Sequence, residues 1–346
     1  MVDIRVMRED EAQAVRRLGK KTFEWFESLF VPKPKECYVA IEGDKIVGAI
    51  LYKYMKVGHN KIGYVDYLFT DKTVHGKGIG SQLVDACIKT MQEEGCSGYS
   101  AIVRDDNVGS WKLFVNRGFK RFGLDDLLKN FGLLGLLGHS FKTPLFIATG
   151  MEYYLKLEEE TMSVKKENSF SQLLNYLIYT ILILMPTLMF GLEHTFYVIG
   201  SLVFVIGIRI IAGYIGTLFS KEDWYFRVTD GGYFIPMIAS FFGGVYLISG
   251  NWYPRIYRKE TDFNRSLGLT ALTQWISLFF IAMLNRTLLG DIEIIDSMAM
   301  MAEILMIISI IPLYPVATFG GKRIYDWNKW IFGIVVLLTI VTVYFN

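Results

Sequence analysis

The segment LFTDKTVHGKGIGSQLVDACIKTM, residues 68–91, joins a β-type run to a helical run through three closely spaced glycines, Gly76, Gly78 and Gly80. Glycine adopts backbone conformations that side chains exclude, and it lets the chain approach a ligand closely. The N–H groups at the start of the following helix carry partial positive charge. The turn therefore predicts a binding site for a phosphate or pyrophosphate group.

The elements around this turn argue against a dinucleotide-binding Rossmann fold, in which the glycines follow the first strand of a parallel βαβ unit. Here four strand-like runs come before the turn. Period-2 and helical patterns along residues 1–160 predict the order β-α-β-β-β-α-β-α-β, an α/β fold with a mixed sheet covered by helices. The predicted strands are 4–7, two runs within YVAIEGDKIVGAILYKYM, 63–70, 98–104 and 150–159.

The segment LDDLLKNFGLLGLLGHSFKTPLFIATG, residues 124–150, is more apolar than a surface connection requires. Two interpretations remain open for it. It is either a connection that packs on its own domain or an interfacial segment that docks the domain on the bilayer or on the membrane half.

Composition divides the chain of 346 residues into two parts. Residues 1–169 hold 48 charged side chains and residues 170–346 only 22, while the mean hydropathy of the whole chain is +0.32. A net charge of +2 excludes a strongly basic nucleic-acid-binding protein. We predict a cytosolic domain at 1–160, a linker at 161–169 and an α-helical polytopic membrane domain at 170–346. Cys37, Cys87 and Cys96 show no disulfide-like spacing, which favours a reducing compartment.

The motif His75-Gly76-Lys77-Gly78-Ile79-Gly80 resembles the signature of the GNAT acetyltransferase superfamily, which has Arg or Gln where this chain has His75. A second motif resembles the same family over one helix and the next strand. Its residues are Asn107, Ser110, Leu113, Phe114, Gly118 and Phe119. The resemblance covers residues 1–160 and implies a GNAT-like mixed sheet.

The resemblance also implies acetyl-CoA as cofactor, bound where the strands at 63–70 and 98–104 splay apart. The backbone of Leu68, Phe69 and Thr70 is then expected to hold the pantetheine, and Asn107 with Ser110 the far end of the cofactor. The pyrophosphate is expected at His75, Gly76, Lys77, Gly78, Ile79, Gly80 and Ser81.

The implied reaction is direct attack of an amine on the thioester, which requires removal of a proton from the amine. Asp66, beside the expected cleft, is the candidate base, and a surface or structural role for it is the alternative. Phe114 stands where family members often place a tyrosine that protonates the leaving thiolate. Phe114 is expected to pack against the cofactor, so the domain is either a working acyltransferase or a domain that binds CoA without turnover.

The second half has apolar stretches at about 170–190, 196–219, 232–249, 266–285, 297–314 and 330–345. A spanning helix needs about 20 apolar residues. The stretch at 232–249 is short, contains Pro236 and has several glycines, which favours a re-entrant element. With five spans plus this element, Arg255, Arg258, Lys259, Arg265, Lys322 and Arg323 lie in the cytosol, and Asp291, Glu293 and Asp296 lie outside. Arg209 and Glu303, both inside predicted spans, are expected to pair.

The second half also resembles archaeal members of the site-2 protease family of intramembrane zinc metalloproteases. In that alignment Arg209, Ile210 and Gly213 replace the motif residues His, Glu and His, and Gly320 replaces an Asp before Gly321. The only histidine of this half is His194. Because a zinc site needs several ligand side chains, we predict no metal and no protease activity.

Together these observations predict a multi-pass, membrane-tethered N-acetyltransferase with a cytosolic N-terminal domain. Its expected partners are acetyl-CoA, an amine-bearing acceptor and the lipid bilayer, with no nucleic acid, and a further membrane protein is a candidate partner. The alternative is a regulatory membrane protein that senses CoA without turnover.

Overall fold

The computed structural model describes residues 2–104, 107–143, 151–158, 168–190, 195–228, 234–242, 248–255, 261–287, 293–313 and 316–344. The chain divides into two compact units. The N-terminal unit comprises Met1–Phe146 and Met151–Lys165, and the C-terminal unit comprises Ile147–Gly150 and Lys166–Asn346.

The N-terminal unit is built on a seven-stranded sheet with the order β1-β2-β3-β4-β5-β7-β6. Its β4 and β5 run parallel, and its other neighbouring strands are antiparallel. The elements are β1 Val2–Val6, α1 Ala12–Thr22, α2 Trp25–Ser28, β2 Glu36–Glu42, β3 Lys45–Val57, β4 Asn60–Thr70, α3 Ile79–Glu93, β5 Gly98–Val103, α4 Val108–Val115, β6 Lys120–Phe122, α5 Leu124–Lys142 and β7 Glu152–Leu157.

Helices cover both faces of this sheet because its strands carry apolar side chains on both sides. On one face, Val15 of α1 packs against Val39 and Phe69 of the sheet. On the other face, Leu83 of α3 packs with Val65 among the buried residues of the larger core. The sheet therefore holds the start of α3 at the end of β4.

The mixed α/β sheet predicted from the sequence is confirmed. Two elements within 120–142 were not predicted. Residues 120–122 form β6, which pairs with β7, and the segment from Leu124 interpreted as a connection begins with α5. Residues 144–150 of that segment lie outside the described part of the chain.

The C-terminal unit is mainly helical. Its elements are α6 Ser169–Phe190, α7 Thr195–Thr217, β8 Trp224–Val228, α8 Phe234–Phe241, β9 Gly250–Pro254, α9 Thr261–Thr287, α10 Glu293–Ser309, α11 Gly321–Trp327 and α12 Lys329–Tyr344. Within the described residues, three helical segments are long and apolar enough to cross a membrane: Ser169–Pro186, Tyr197–Thr217 and Asp262–Leu284. The helix α12 is apolar but shorter.

Strands β8 and β9 form an antiparallel pair in which Val228 lies opposite Gly250. The chain that leaves β8 at Val228 therefore returns to the same point at Gly250. The stretch at 232–249 lies between these two strands, and α8 lies in its first half; residues 243–247 of the stretch are outside the described part of the chain.

The expected pair of Arg209 and Glu303 does not form. The side chain of Arg209 is fully buried and donates from Nη1 to the Gly250 carbonyl and from Nη2 to the Phe319 carbonyl, both at 3.2 Å. Backbone carbonyls thus bind Nη1 and Nη2 where the sequence suggested a carboxylate, and Nε is buried without a hydrogen-bond partner in the described part of the chain. Residues 321–327, interpreted as a basic loop, form α11, in which Lys322 lies 3.2 Å from Asp326.

Candidate functional site

The two parallel strands of the N-terminal sheet separate near their C-terminal ends. Their pairing runs from Ile62 opposite Gly98 to Val65 opposite Ala101, although β4 continues to Thr70 and β5 to Val103. Peptide groups on the β5 side of β4 beyond Val65 therefore lie outside this ladder. They form the wall of a cleft between the two strands.

A β-bulge in β4 coincides with this separation. Leu51 of β3 lies opposite Tyr67 and Tyr52 lies opposite Val65, so that Asp66 is the extra residue. Bulges bend a strand and redirect the side chain at that position. Asp66, the candidate base, therefore sits at the point where the cleft opens.

The glycine turn lies at the far end of β4. Gly76 and Gly78 have φ values of +84° and +75°, a region that favours glycine. A Cβ atom built at either position meets no atom within 4 Å, so the space in front of the turn is open. Gln82 donates the first intrahelical bond of α3, to the Gly78 carbonyl at 3.1 Å. The preceding N–H groups, those of Ile79, Gly80 and Ser81, have no intrahelical partner, and such groups at a helix start can bind an anion.

Side chains around the turn fix its shape. His75 Nε2 lies 3.3 Å from the Thr70 carbonyl, and Lys77 donates to the Glu42 carboxylate at 2.7 Å. The Lys77 ammonium holds the pKa of Glu42 below its usual range. The Ser81 hydroxyl accepts from Arg117 at 2.5 Å, so it ties α3 to the end of α4, and only its backbone N–H faces the turn.

The second motif forms α4 and the start of β6. Asn107 Oδ1 accepts from the Ser110 N–H at 3.2 Å and caps α4. Phe114 is buried and meets Phe119 edge to face, with ring centroids 5.3 Å apart. These contacts place Asn107 and Ser110 at the start of α4 and Phe114 in the core beside α3, where Leu113 Cδ1 lies 3.4 Å from a Cβ built at Gly80.

The last residues of β4 offer mainly backbone to the cleft. Leu68, Phe69 and Thr70 pair with β3 on one side, opposite Ile50, Ala49 and Gly48. The Phe69 ring packs on Phe23 of the opposite face, 5.9 Å between centroids, so it points away from α3. Their β5-facing peptide groups lie beyond the last β4–β5 pair, at the edge where the pantetheine is expected.

Near Asp66 a polar cluster lies on the sheet face opposite α3. The Asp66 carboxylate is 3.3 Å from Lys53 Nζ, and this ammonium also lies 4.8 Å from the centre of the Tyr64 ring. Tyr64 is opposite Ser100 in the parallel ladder. The cluster thus borders the last paired residues of β4 and β5.

Sequence analysis missed the second part of this cluster. His139 of α5 is buried, and its Nδ1 lies 2.8 Å from the hydroxyl of Tyr153 in β7. Tyr153 is opposite Ile102, one residue beyond the last β4–β5 pair. The alternation of residues in β4 and β5 is a sequence signal that could have placed Tyr64 and Ser100 in this cluster. Nothing in the sequence around His139 indicates its contact with Tyr153.

Burial sets the protonation of these groups. It raises the pKa of Tyr64 and of Tyr153 well above the usual range of a phenol, so both stay protonated at neutral pH. Burial, with a smaller contribution from Lys142, lowers the pKa of His139 to about 4. We therefore assign the Tyr153 hydroxyl as donor and the neutral imidazole as acceptor.

The residues of the glycine turn, the start of α3 and the edge of β4 fit a bound CoA molecule. Two glycines in left-handed conformation face open space, α3 presents free N–H groups there, and β4 presents an unpaired edge that leads back to Asp66. A pyrophosphate at the turn and an amide-containing arm along β4 satisfy those groups. Within the described residues no group of three His, Cys, Asp or Glu side chains converges on a common point.

Part of the N-terminal unit matches the sequence model of a known protein family. The sequence model described as "Acetyltransferase (GNAT) family" matches residues 4–119. This match confirms the predicted GNAT domain and supports an acetyl-CoA-dependent acetyltransferase in this part of the chain.

Curated relatives share about a hundred residues with the chain. "N-alpha-acetyltransferase MAK3" of Arabidopsis thaliana is 33% identical over 100 residues, which cover 29% of this chain and 51% of the relative. "N-alpha-acetyltransferase 30" of Homo sapiens is 34% identical over 91 residues, 25% of each chain. The chain thus spans about half of the first relative and a quarter of the second.

Solved structures are also similar. "Crystal structure of the NatC complex bound to Gag peptide and CoA" has a TM-score of 0.32 at 17% identity and covers 45% of this chain and 98% of that chain. "Arabidopsis thaliana Naa50 in complex with bisubstrate analogue CoA-Ac-MVNAL" has a TM-score of 0.29 at 19% identity, with coverages of 35% and 84%.

Proposed function

We propose that the protein is a membrane-tethered N-acetyltransferase that acetylates the α-amino group of a polypeptide. The observation behind this proposal is the position of Asp66, in a bulge where β4 and β5 separate, at one end of a cleft whose other end is the open glycine turn. The acceptor class comes from the relatives, which are named N-alpha-acetyltransferases.

Acetyl-CoA supplies an acetyl group on a thioester, whose carbonyl carbon an amine attacks while the C–S bond breaks. In this chain Asp66 takes the proton that the amine must lose, and Lys53 orients the carboxylate. Tyr64 and Tyr153 are buried and stay protonated, so neither competes with Asp66 as the base. His139 fixes the Tyr153 hydroxyl.

The proposal is tested with the full chain in nanodiscs, labelled acetyl-CoA and two peptides that differ only in a free or formylated N-terminus and that both contain lysine. We expect label only on the free α-amine. Label on lysine in both peptides would contradict the acceptor class.

The role of Asp66 is tested by substitution. Asp66→Asn is expected to lower kcat about 100-fold with unchanged acetyl-CoA affinity, whereas Asp44→Asn in the β2–β3 turn changes neither kcat nor affinity.

A CoA-sensing regulatory protein is the second candidate. It is favoured by Phe114, which has no hydroxyl to protonate a leaving thiolate. Tight acetyl-CoA binding with no acetylation of any amine and no release of free CoA would support this candidate over the enzyme.

For the C-terminal unit we propose a multi-pass membrane domain with the N-terminal unit in the cytosol. Three long apolar helices support it, and the pairing of Val228 with Gly250 supports a re-entrant element at 232–249 within a five-span arrangement. A bound protein of the membrane remains a possible partner of this domain.

We further propose that this domain is a catalytically inactive relative of the site-2 protease family. Arg209 contacts the carbonyl of Phe319, next to Gly320, so two of the aligned positions lie together. A guanidinium has no lone pair to offer a metal. A Cβ built at Gly213 lies 2.5 Å from Gln274 Nε2, so an amide fills the space of a larger side chain there. His194 is outside the described residues.

A further inference from the structure

The second half of α5 is an amphipathic helix with its apolar side facing outward. Gly132, at φ +66° and ψ −177°, breaks α5, and residues 133–142 form a separate helical stretch. Leu134 and Phe141 are 85% and 73% exposed, and Leu133 and Leu137 are exposed beside them. The buried side of the same stretch consists of Gly135, His139 and Ser140.

The orientation of this stretch is fixed by its polar side. His139 contacts the Tyr153 hydroxyl at 2.8 Å, and the Thr143 hydroxyl donates to the His139 carbonyl at 2.5 Å. A rotation that buried the leucines would break the hydrogen bond between His139 and Tyr153. Breaking a buried hydrogen bond costs stability. The apolar side therefore stays outward.

The length and the charge pattern of this stretch favour a lipid surface as the partner that covers its apolar side. From Asn130 to Phe141 there is no Asp, Glu, Lys or Arg, and Lys129 and Lys142 bound the segment. The ten helical residues after the break, 133–142, span about 15 Å, too short to cross a bilayer core of about 30 Å. Short helices with one strongly apolar face lie in the plane of the membrane interface.

The chain also keeps this unit close to a membrane. Leu157 ends β7 and Ser169 begins the first helix that is long and apolar enough to span. The eleven residues between them reach at most about 40 Å when fully extended. We propose that Leu133, Leu134, Leu137 and Phe141 insert into the cytosolic leaflet and hold the acetyltransferase unit on the bilayer surface; this inference rests on the proposed membrane tether.

The test uses the full chain in nanodiscs of phosphatidylcholine and phosphatidylglycerol, with a fluorescent NBD label on a cysteine placed at Leu134. The native cysteines are buried and stay in place, because burial raises the pKa of the Cys37 and Cys87 thiols and keeps them unreactive. Lipids with a nitroxide near the headgroup are expected to quench the label at position 134 at least twofold. Leu29, exposed on the same unit, is the matched control and is expected to show no quenching.

A third label at Leu182, an exposed position of α6, separates the two proposals. If a nitroxide deep in the acyl chains quenches the label at 182 and the label at 134 is not quenched, the interfacial role of α5 is wrong and the membrane tether stands. A blue-shifted but unquenched label at 134 also overturns the interfacial role and points to a protein surface as cover. Absence of quenching at 182 as well overturns the membrane tether, while the acetylation assay stays independent of both.

Discussion

Gly78 combines a left-handed backbone with open space at the point where α3 begins. A carboxylate side chain there occupies the expected pyrophosphate position and repels it. We expect Gly78→Glu to weaken acetyl-CoA binding at least 100-fold, measured by calorimetry.

Gly43 is the matched control for this substitution. It lies in the β2–β3 turn with φ +64° and equally open space, so Gly43→Glu has the same backbone strain, about 1–2 kcal/mol. Unchanged affinity in Gly78→Glu, or equal loss in both variants, would contradict the anion site.

Phe114 offers a second test at the level of single residues. If only the missing hydroxyl limits the chemistry, Phe114→Tyr raises kcat several-fold with little change in KM for acetyl-CoA, because proton donation acts on the transition state. Phe119→Tyr is the control, since Phe119 is equally buried against the same ring. A gain in both variants would show that the effect does not depend on position 114.

At the level of single residues, the sequence predicted the glycine turn well, because the spacing of the glycines reflects a local requirement of the backbone. It did not predict the bulge at Asp66. The residues on either side alternate as in a regular strand, and only the register against Leu51 and Tyr52 of β3 makes Asp66 the extra residue. Likewise, nothing local indicates that Arg209 bonds two carbonyls distant in sequence rather than Glu303.

Among the elements, α5 shows most clearly why a pattern fails. Its first half buries Leu127, but after the break at Gly132 the leucines face outward and glycine with histidine face the sheet. The sequence left two interpretations of this segment open, a connection packed on its own domain and an interfacial segment, because a run of leucines alone does not show which side of a helix is buried. The strand β6 was not predicted because a strand of three residues is too short to show a period-2 pattern.

The contact between α5 and β7 predicts a pH dependence. The folded pKa of His139, about 4, lies below the usual value near 6.5. The fold therefore favours the neutral imidazole, and this stabilisation is complete above pH 6.5 and is lost as the pH falls toward 4. We expect a loss of roughly 2 kcal/mol by pH 5.

The measurement is the thermal unfolding midpoint of the N-terminal unit within the full chain at pH 7.5 and pH 5. His139→Gln should reduce the difference between the two midpoints, whereas His59→Gln, in the exposed β3–β4 turn, should leave it unchanged. An undiminished difference in His139→Gln would assign the acid sensitivity to other groups.

For the whole molecule, the proposed topology gives a direct prediction. Single cysteines replace Glu293, at the start of α10, and Arg255, just after β9. With a membrane-impermeant maleimide on intact cells, position 293 should label and position 255 should label only after permeabilisation, because basic segments stay in the cytosol. The C-terminal half has no native cysteine, and the three in the N-terminal unit are buried.

Labelling of position 255 in intact cells would show that the stretch at 232–249 crosses the membrane, and the five-span arrangement would then be wrong. The neighbouring positions Asp291 and Ile256 lie outside the described residues, so the described positions 293 and 255 are preferred.

The place of β7 in the sheet has a consequence for synthesis on the ribosome. β7 lies between β5 and β6 but is the last strand to be made, so β5 has a bare edge until Leu157 has emerged. Only twelve residues later the first long apolar helix begins at Ser169. At ordinary elongation rates this interval is about one second. In the proposed membrane topology, closure of the sheet and recognition by the insertion machinery therefore compete in time. A nascent chain delayed before β7 presents an open strand edge that favours aggregation.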